Sequence, residues 1–148
     1  MQEKDILFEI EEYFGESKLK PEQYSALGLA YIGDAIYDLI IRTMVMNLGN
    51  GKVKNFHRIT SGIVKAESQA KLIQQILPEL TEEEEAVYHR GRNTKSATSA
   101  KNASITDYRV ATGFEAVLGY LYLKHDMNRA LFLVKEGLER TDLLPKHL

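Results

Sequence analysis

The stretch that most limits what this chain can fold into is "LGLAYIGDAIYDLIIRTMVM" at residues 27–46. Its apolar residues do not alternate with polar ones as a half-buried strand requires, and the run is too long for an ordinary strand, so it reads as a helix. The helix is predicted to span about residues 22 to 47, with Pro21 in a favourable first-turn place. Ala30, Asp34, Asp38 and Arg42 follow one another at four-residue steps, while Leu29, Tyr31, Ile32, Ile36, Leu39 and Ile40 cover the remaining faces. That pattern predicts burial nearly all round. Asp38 and Arg42 can pair one turn apart, but Asp34 has no basic partner on its own helix. An ionised carboxylate removed from water without a partner is costly.

The same conflict recurs in "DYRVATGFEAVLGYLYLK" at 107–124, where Glu115 has only Ala111, Thr112, Leu118 and Gly119 one turn away. Two lone carboxylates can compensate each other by sharing a proton or by binding a cation, because two like charges brought together repel. Magnesium commonly takes one or two protein carboxylates and keeps several waters. Spacing alone leaves a second reading open, in which each acid reaches solvent, a backbone amide or a basic residue elsewhere. Gly33, Ala35, Gly113 and Gly119 let backbones approach closely, which suits helix packing and substrate access alike.

The other segments are helical too, so the expectation is one all-α domain over residues 1–148. A short helix at 4–14 ends at Gly15. Residues 53–77 carry apolar positions at helical spacing, with a division expected at Gly62, and Thr81 with Glu84 forms a capping box ahead of a further helix. Helices at about 105–124 and 127–140, the latter capped by Asp126, complete the set. Between them, "GRNTKSATSAKNAS" at 91–104 is small, polar and basic without apolar periodicity, which marks it as the candidate functional loop.

The net charge of −2 conceals an uneven distribution. Residues 1–16 hold six acids against Lys4, whereas 89–109 carry Arg90, Arg92, Lys95, Lys101 and Arg109 against Asp107, and 52–71 carry Lys52, Lys54, Arg58, Lys65 and Lys71 against Glu67. Local basic segments of this kind suit phosphate binding. The absence of cysteine excludes disulfides, thiolate zinc sites and thiol nucleophiles, and fits a reducing cytoplasm. No signal segment or membrane-spanning run is expected. His57, His89, His125 and His147 lack metal-ligand spacing, and Ser61, Ser96 and Ser99 have no adjacent base.

"LAYIGDAIYDLIIR" resembles the signature helix of ribonuclease III catalytic domains, and "ATGFEAVLGYLYL" resembles the second motif of that family. Their order and separation also match, so the resemblance covers roughly residues 22–125. The basic segment "EEEEAVYHRGRNTKSATSAKN" is similar to the Mini branch, which lacks a double-stranded-RNA-binding domain. The resemblance implies an all-α endonuclease domain that dimerises through the signature helix, binds double-stranded RNA across the homodimer, and leaves 5′-phosphate and 3′-hydroxyl ends.

On the same basis Asp34 and Glu115 are expected to be the catalytic metal ligands for Mg²⁺, with Mn²⁺ as a substitute. Arg90, Arg92, Asn93, Lys95, Lys101 and Asn102 are expected to contact RNA, and Thr112 to orient a metal-bound water. Ala30 and Thr112 stand where the wider family usually has acids, a reduction the Mini branch shares. The implied substrate is a large-subunit (23S) ribosomal RNA precursor, with a ribosomal protein as a possible partner and no membrane. Two rivals follow from the residues: an inert RNA-binding or ribosome-associated scaffold of the same fold, and a nucleotide pyrophosphatase using the acids at 82–85. Consecutive acids point around a helix and do not converge, so a first-turn role explains those four better.

Overall fold

The computed structural model describes residues 5–94 and 104–148. Among them it forms seven α-helices: α1 (Ile6–Phe14), α2 (Ala26–Met46), α3 (Val53–Val64), α4 (Ala66–Ile76), α5 (Glu82–Asn93), α6 (Ile105–Leu123) and α7 (Met127–Arg140). No strand occurs among the described residues. The all-helical expectation holds.

The core lies where α2 meets α6, the most extensive helix pair in the molecule. Two glycines make that approach possible. A Cβ on Gly33 would lie 1.7 Å from the Glu115 carbonyl oxygen, and one on Gly119 would lie 2.0 Å from that of Leu29. Gly33 therefore faces Glu115 while Leu29 faces Gly119, so the helices run antiparallel with their backbones nearly touching. Gly113 is pressed in the same way against Tyr88 of α5. Ala35, expected to join this small-residue contact, is instead exposed on the outer side of α2. Around the seam, Leu29, Tyr37 and Ile41 pack with Phe114, Val117 and Leu118, and α4 and α7 add Leu72, Ile73, Leu133 and Leu138. The Tyr37 and Phe114 rings meet edge to face at 5.3 Å.

Helix ends follow local chemistry. Pro21 opens a separate 3₁₀ turn at Pro21–Gln23, and α2 starts later, where the Ser25 hydroxyl accepts the Gly28 N–H at 3.0 Å. The division expected at Gly62 falls at Lys65, whose extended backbone ends α3 and begins α4. The carbonyls released there are taken by α4 side chains: the Ser68 hydroxyl donates to Gly62 at 2.6 Å and the Gln69 amide to Val64 at 2.8 Å. Such side-chain bonds compete with helix continuation. The capping box at Thr81 and Glu84 is present, and Asp126 caps α7.

One expectation fails on α2. Leu29, Ala30, Gly33, Ile36, Tyr37, Ile40 and Ile41 are buried, but Leu27, Tyr31, Leu39 and Met46 are exposed, Tyr31 to 81%. The neighbouring helices of one chain cover only one side. The outer side keeps an apolar stripe facing solvent.

Candidate active site and RNA-facing surface

Because Gly33 sits directly against the backbone of Glu115, the next residue on α2, Asp34, is brought to the Glu115 side chain. Burial, followed by the close Asp34 carboxyl and its charge, pushes the Glu115 carboxyl up to about 8, with a hydrogen bond from Gln69 acting the other way. Among the described residues, no Lys, Arg or His acts on it. Asp34 is exposed and lines an open pocket of about 450 Å³ with Tyr31, Ile32, Ala35 and Asp38. The pair thus has one member behind and one at a solvent-facing mouth. Asp38 is occupied with Arg42 at 2.7 Å.

Gln69 was not singled out in the sequence. It is 2% exposed, and its amide nitrogen donates to the Val64 carbonyl and to Glu115 Oε2 at 3.1 Å. A polar residue on the face that also carries Leu72, Ile73 and Ile76 was the available signal. Tyr37 is likewise buried next to the site: burial and then the Glu115 charge raise its phenol well above the usual range.

Two hard carboxylate oxygen donors, with no side-chain cation acting on Glu115 among the described residues, suit Mg²⁺, which needs few protein ligands. No cluster of three or more His, Cys, Asp or Glu able to hold a metal occurs among the described residues. The positions one turn before the acids add no charge. Ala30 is buried, and the buried Thr112 hydroxyl donates to the Tyr108 carbonyl at 2.9 Å, so it can orient a water only as an acceptor.

Arg90, Arg92 and Asn93 belong to the last turn and a half of α5, because the helix runs through Asn93 and the Thr94 hydroxyl closes it on the Arg90 carbonyl at 2.6 Å. Arg90 also donates to the Tyr24 carbonyl at 3.0 Å, which ties α5 to the entry of α2. Arg92 and Asn93 are exposed. Lys95, Lys101 and Asn102 lie outside the described residues. On α3, Lys54 and Arg58 stand one turn apart, away from the buried Thr60 and Ile63, and Lys65 follows at the break beside Val64. None of these three forms an ion pair among the described residues.

The acids at 82–85 do not converge. Glu83 binds the Tyr120 hydroxyl and Lys124, Glu84 binds Arg129, and Glu85 faces His89. The pyrophosphatase reading therefore loses its metal site. His125 is used structurally, meeting Asp5, which caps α1, and Glu11 within it at 2.9 Å each.

Known proteins place this arrangement in context. A ribonuclease III domain model matches residues 27–126. A Mini-ribonuclease 3 from Enterococcus faecalis is 51% identical over 110 residues, covering 73% of this chain and 83% of that protein. One from Clostridium tetani is 50% identical over 126 residues, covering 83% of each. A crystal structure of a Fusobacterium nucleatum protein superposes with a TM-score of 0.75 at 26% identity, covering 82% of this chain and 99% of that one.

Proposed function

The chain belongs to the ribonuclease III family of endoribonucleases, and from that premise we propose that it cuts double-stranded RNA at a Mg²⁺ site held by Asp34 and Glu115. The observation that carries this is the meeting of two carboxyls from different helices, across a contact that only glycine permits, with no basic residue among the described residues to neutralise Glu115. Mg²⁺ bound there, or Mn²⁺ in its stead, would neutralise the pair, activate a water and stabilise charge developing on the phosphate.

The remaining roles belong to the chain's own residues. Asp34 stands at the mouth of the pocket, where a scissile phosphate can approach, and Glu115 is anchored behind it by Gln69. The products would be 5′-phosphate and 3′-hydroxyl ends. Arg92 and Asn93, with Lys95, Lys101 and Asn102 beyond them, offer charge and hydrogen bonds to the backbone, as do Lys54, Arg58 and Lys65 on α3. Contacts of this type read A-form shape more than sequence. Arg90 adds charge while holding α5 in place, and Thr112 accepts a hydrogen bond from a bound water.

The exposed stripe of Leu27, Tyr31, Leu39 and Met46 on α2 supports a homodimer formed over this helix. An apolar helix face left open by its own chain is a common mark of an interaction surface. Two subunits would give one RNA footprint two acid pairs, one for each strand. The resemblance to Mini-ribonuclease 3 proteins favours a 23S ribosomal RNA precursor as substrate, with a ribosomal protein as a possible aid. No described helix is long and apolar enough to cross a membrane, and a cytoplasmic location accords with the lack of cysteine.

The test is incubation with a long perfect RNA duplex, in Mg²⁺ or in chelator, beside Asp34→Asn. Metal-dependent cutting by the unaltered protein alone is expected. Binding without cutting in every condition would favour the inert scaffold.

A further inference from the structure

Behind the acid pair lies the break between α3 and α4. Where α3 stops at Lys65, the Val64 carbonyl has no helical partner ahead of it, and Gln69 supplies one. A carbonyl only accepts hydrogen bonds, so it fixes which end of the Gln69 carboxamide faces it. The second N–H is then directed at Glu115 Oε2, and the carboxamide oxygen is left buried without a partner. Buried polar atoms are seldom left unsatisfied, because desolvation is not repaid. Capping Val64 needs only one N–H of the carboxamide, so that role alone does not account for the second N–H meeting Glu115.

We propose that Gln69 is a positioning residue for the reaction: it uses the α3–α4 break as a fixed anchor and holds the Glu115 carboxylate in register with Asp34. The inference rests on the reading of Asp34 and Glu115 as the cation site. A neutral amide suits the task. Lys or Arg in its place would orient Glu115 equally well but would neutralise the charge that a cation needs, whereas the carboxamide donates a hydrogen bond and adds no net charge. Groups that orient a ligand from behind govern how tightly the metal is held, and their removal costs about ten- to a hundredfold in metal affinity or activity.

The test uses Gln69→Met, with Ser68→Ala as a control that removes the neighbouring bond to the Gly62 carbonyl and leaves Glu115 untouched. Mg²⁺ alone is titrated while the melting temperature is followed. Gln69→Met should need at least about tenfold more Mg²⁺ for half its stabilisation, whereas Ser68→Ala should match the unaltered protein. With duplex RNA at saturating Mg²⁺, kcat should fall in Gln69→Met while KM stays unchanged. An unchanged Mg²⁺ midpoint together with unchanged kcat would overturn the proposal and leave Gln69 as a cap for Val64.

A second measurement needs no variant. In the unaltered protein, the side-chain amide signals of Gln69 should exchange slowly with solvent and shift when Mg²⁺ is added; signals that do not move would also overturn the proposal. Equal Mg²⁺ stabilisation in Asp34→Asn and the unaltered protein would instead remove the cation site itself, and with it the role given to Gln69.

Discussion

Two acids packed between helices, the buried Glu84 and the half-buried Glu115, sit in opposite circumstances. Glu84 on α5 is 3% exposed and fully compensated: Arg129 meets both its carboxylate oxygens at 2.8 and 2.9 Å, and the Thr81 N–H donates at 2.9 Å. Burial alone would raise its carboxyl, but Arg129 and Thr81 more than offset this and hold it below the usual range. Glu115 on α6 has another acid and a neutral amide, and its carboxyl is pushed up to about 8. The first arrangement is complete within one chain. The second becomes complete only with a proton or a cation, which is why the proposed chemistry rests on Glu115 and not on Glu84.

The comparison breaks most sharply under substitution. Glu115→Gln should lower duplex cleavage by at least about a hundredfold, the scale for losing one charge-stabilising group, with the helical circular dichroism unchanged. Arg129→Met should leave the chemistry alone but cost about 3–5 kcal/mol of stability in denaturant unfolding, since it strands a buried charge. Near-normal stability in Arg129→Met, or near-normal cleavage in Glu115→Gln, would erase the distinction.

A smaller effect separates the acids by pH. In chelator the folded protein keeps a proton on Glu115 that the unfolded chain has released, between the ordinary glutamate value of 4.5 and about 8. The folded state binds more protons there, so this group's contribution to stability falls as pH rises through that window. Glu84 has the opposite sign: its contribution is present above 4.5 and is lost as pH falls below it. Glu115→Gln should therefore stabilise the metal-free protein at pH 8 by more than about 1 kcal/mol relative to its effect at pH 5, measured by denaturant unfolding at the two pH values. A difference of zero would contradict the raised carboxyl of Glu115.

Gly33→Ala should open the α2–α6 contact, with a cost of about 1–3 kcal/mol typical of overpacking and a loss of cutting that exceeds the loss of RNA binding. Ser25→Ala, far from either acid, should cost about 1 kcal/mol by removing the α2 cap and leave the Mg²⁺ dependence of cleavage untouched.

Much of this contrast was legible in the chain. The capping box at Thr81 and Glu84 and the lack of local partners for Asp34 and Glu115 follow from three- and four-residue spacing. That Asp34 and Glu115 meet does not, because periodicity describes one helix at a time, and the pairing depends on Gly33 lying against the Glu115 backbone. Gln69 escaped for a related reason: its anchor, the Val64 carbonyl, exists only because the helix breaks at Lys65 and not at Gly62. The outer side of α2, expected to be buried, is open within one chain, because Leu27, Tyr31 and Leu39 carry the same apolar pattern whether their cover comes from their own chain or from another.

The central claim is that the Asp34 and Glu115 pair is a cation site while the Glu84 and Arg129 pair is not. Its most direct test is the melting temperature at pH 8 with and without Mg²⁺, for the unaltered protein, Asp34→Asn and Glu84→Gln. Binding to the folded state alone raises stability by mass action, so Mg²⁺ should raise the melting point of the unaltered protein and, from a lower start, of Glu84→Gln, but not of Asp34→Asn. An equal rise in all three would contradict the account.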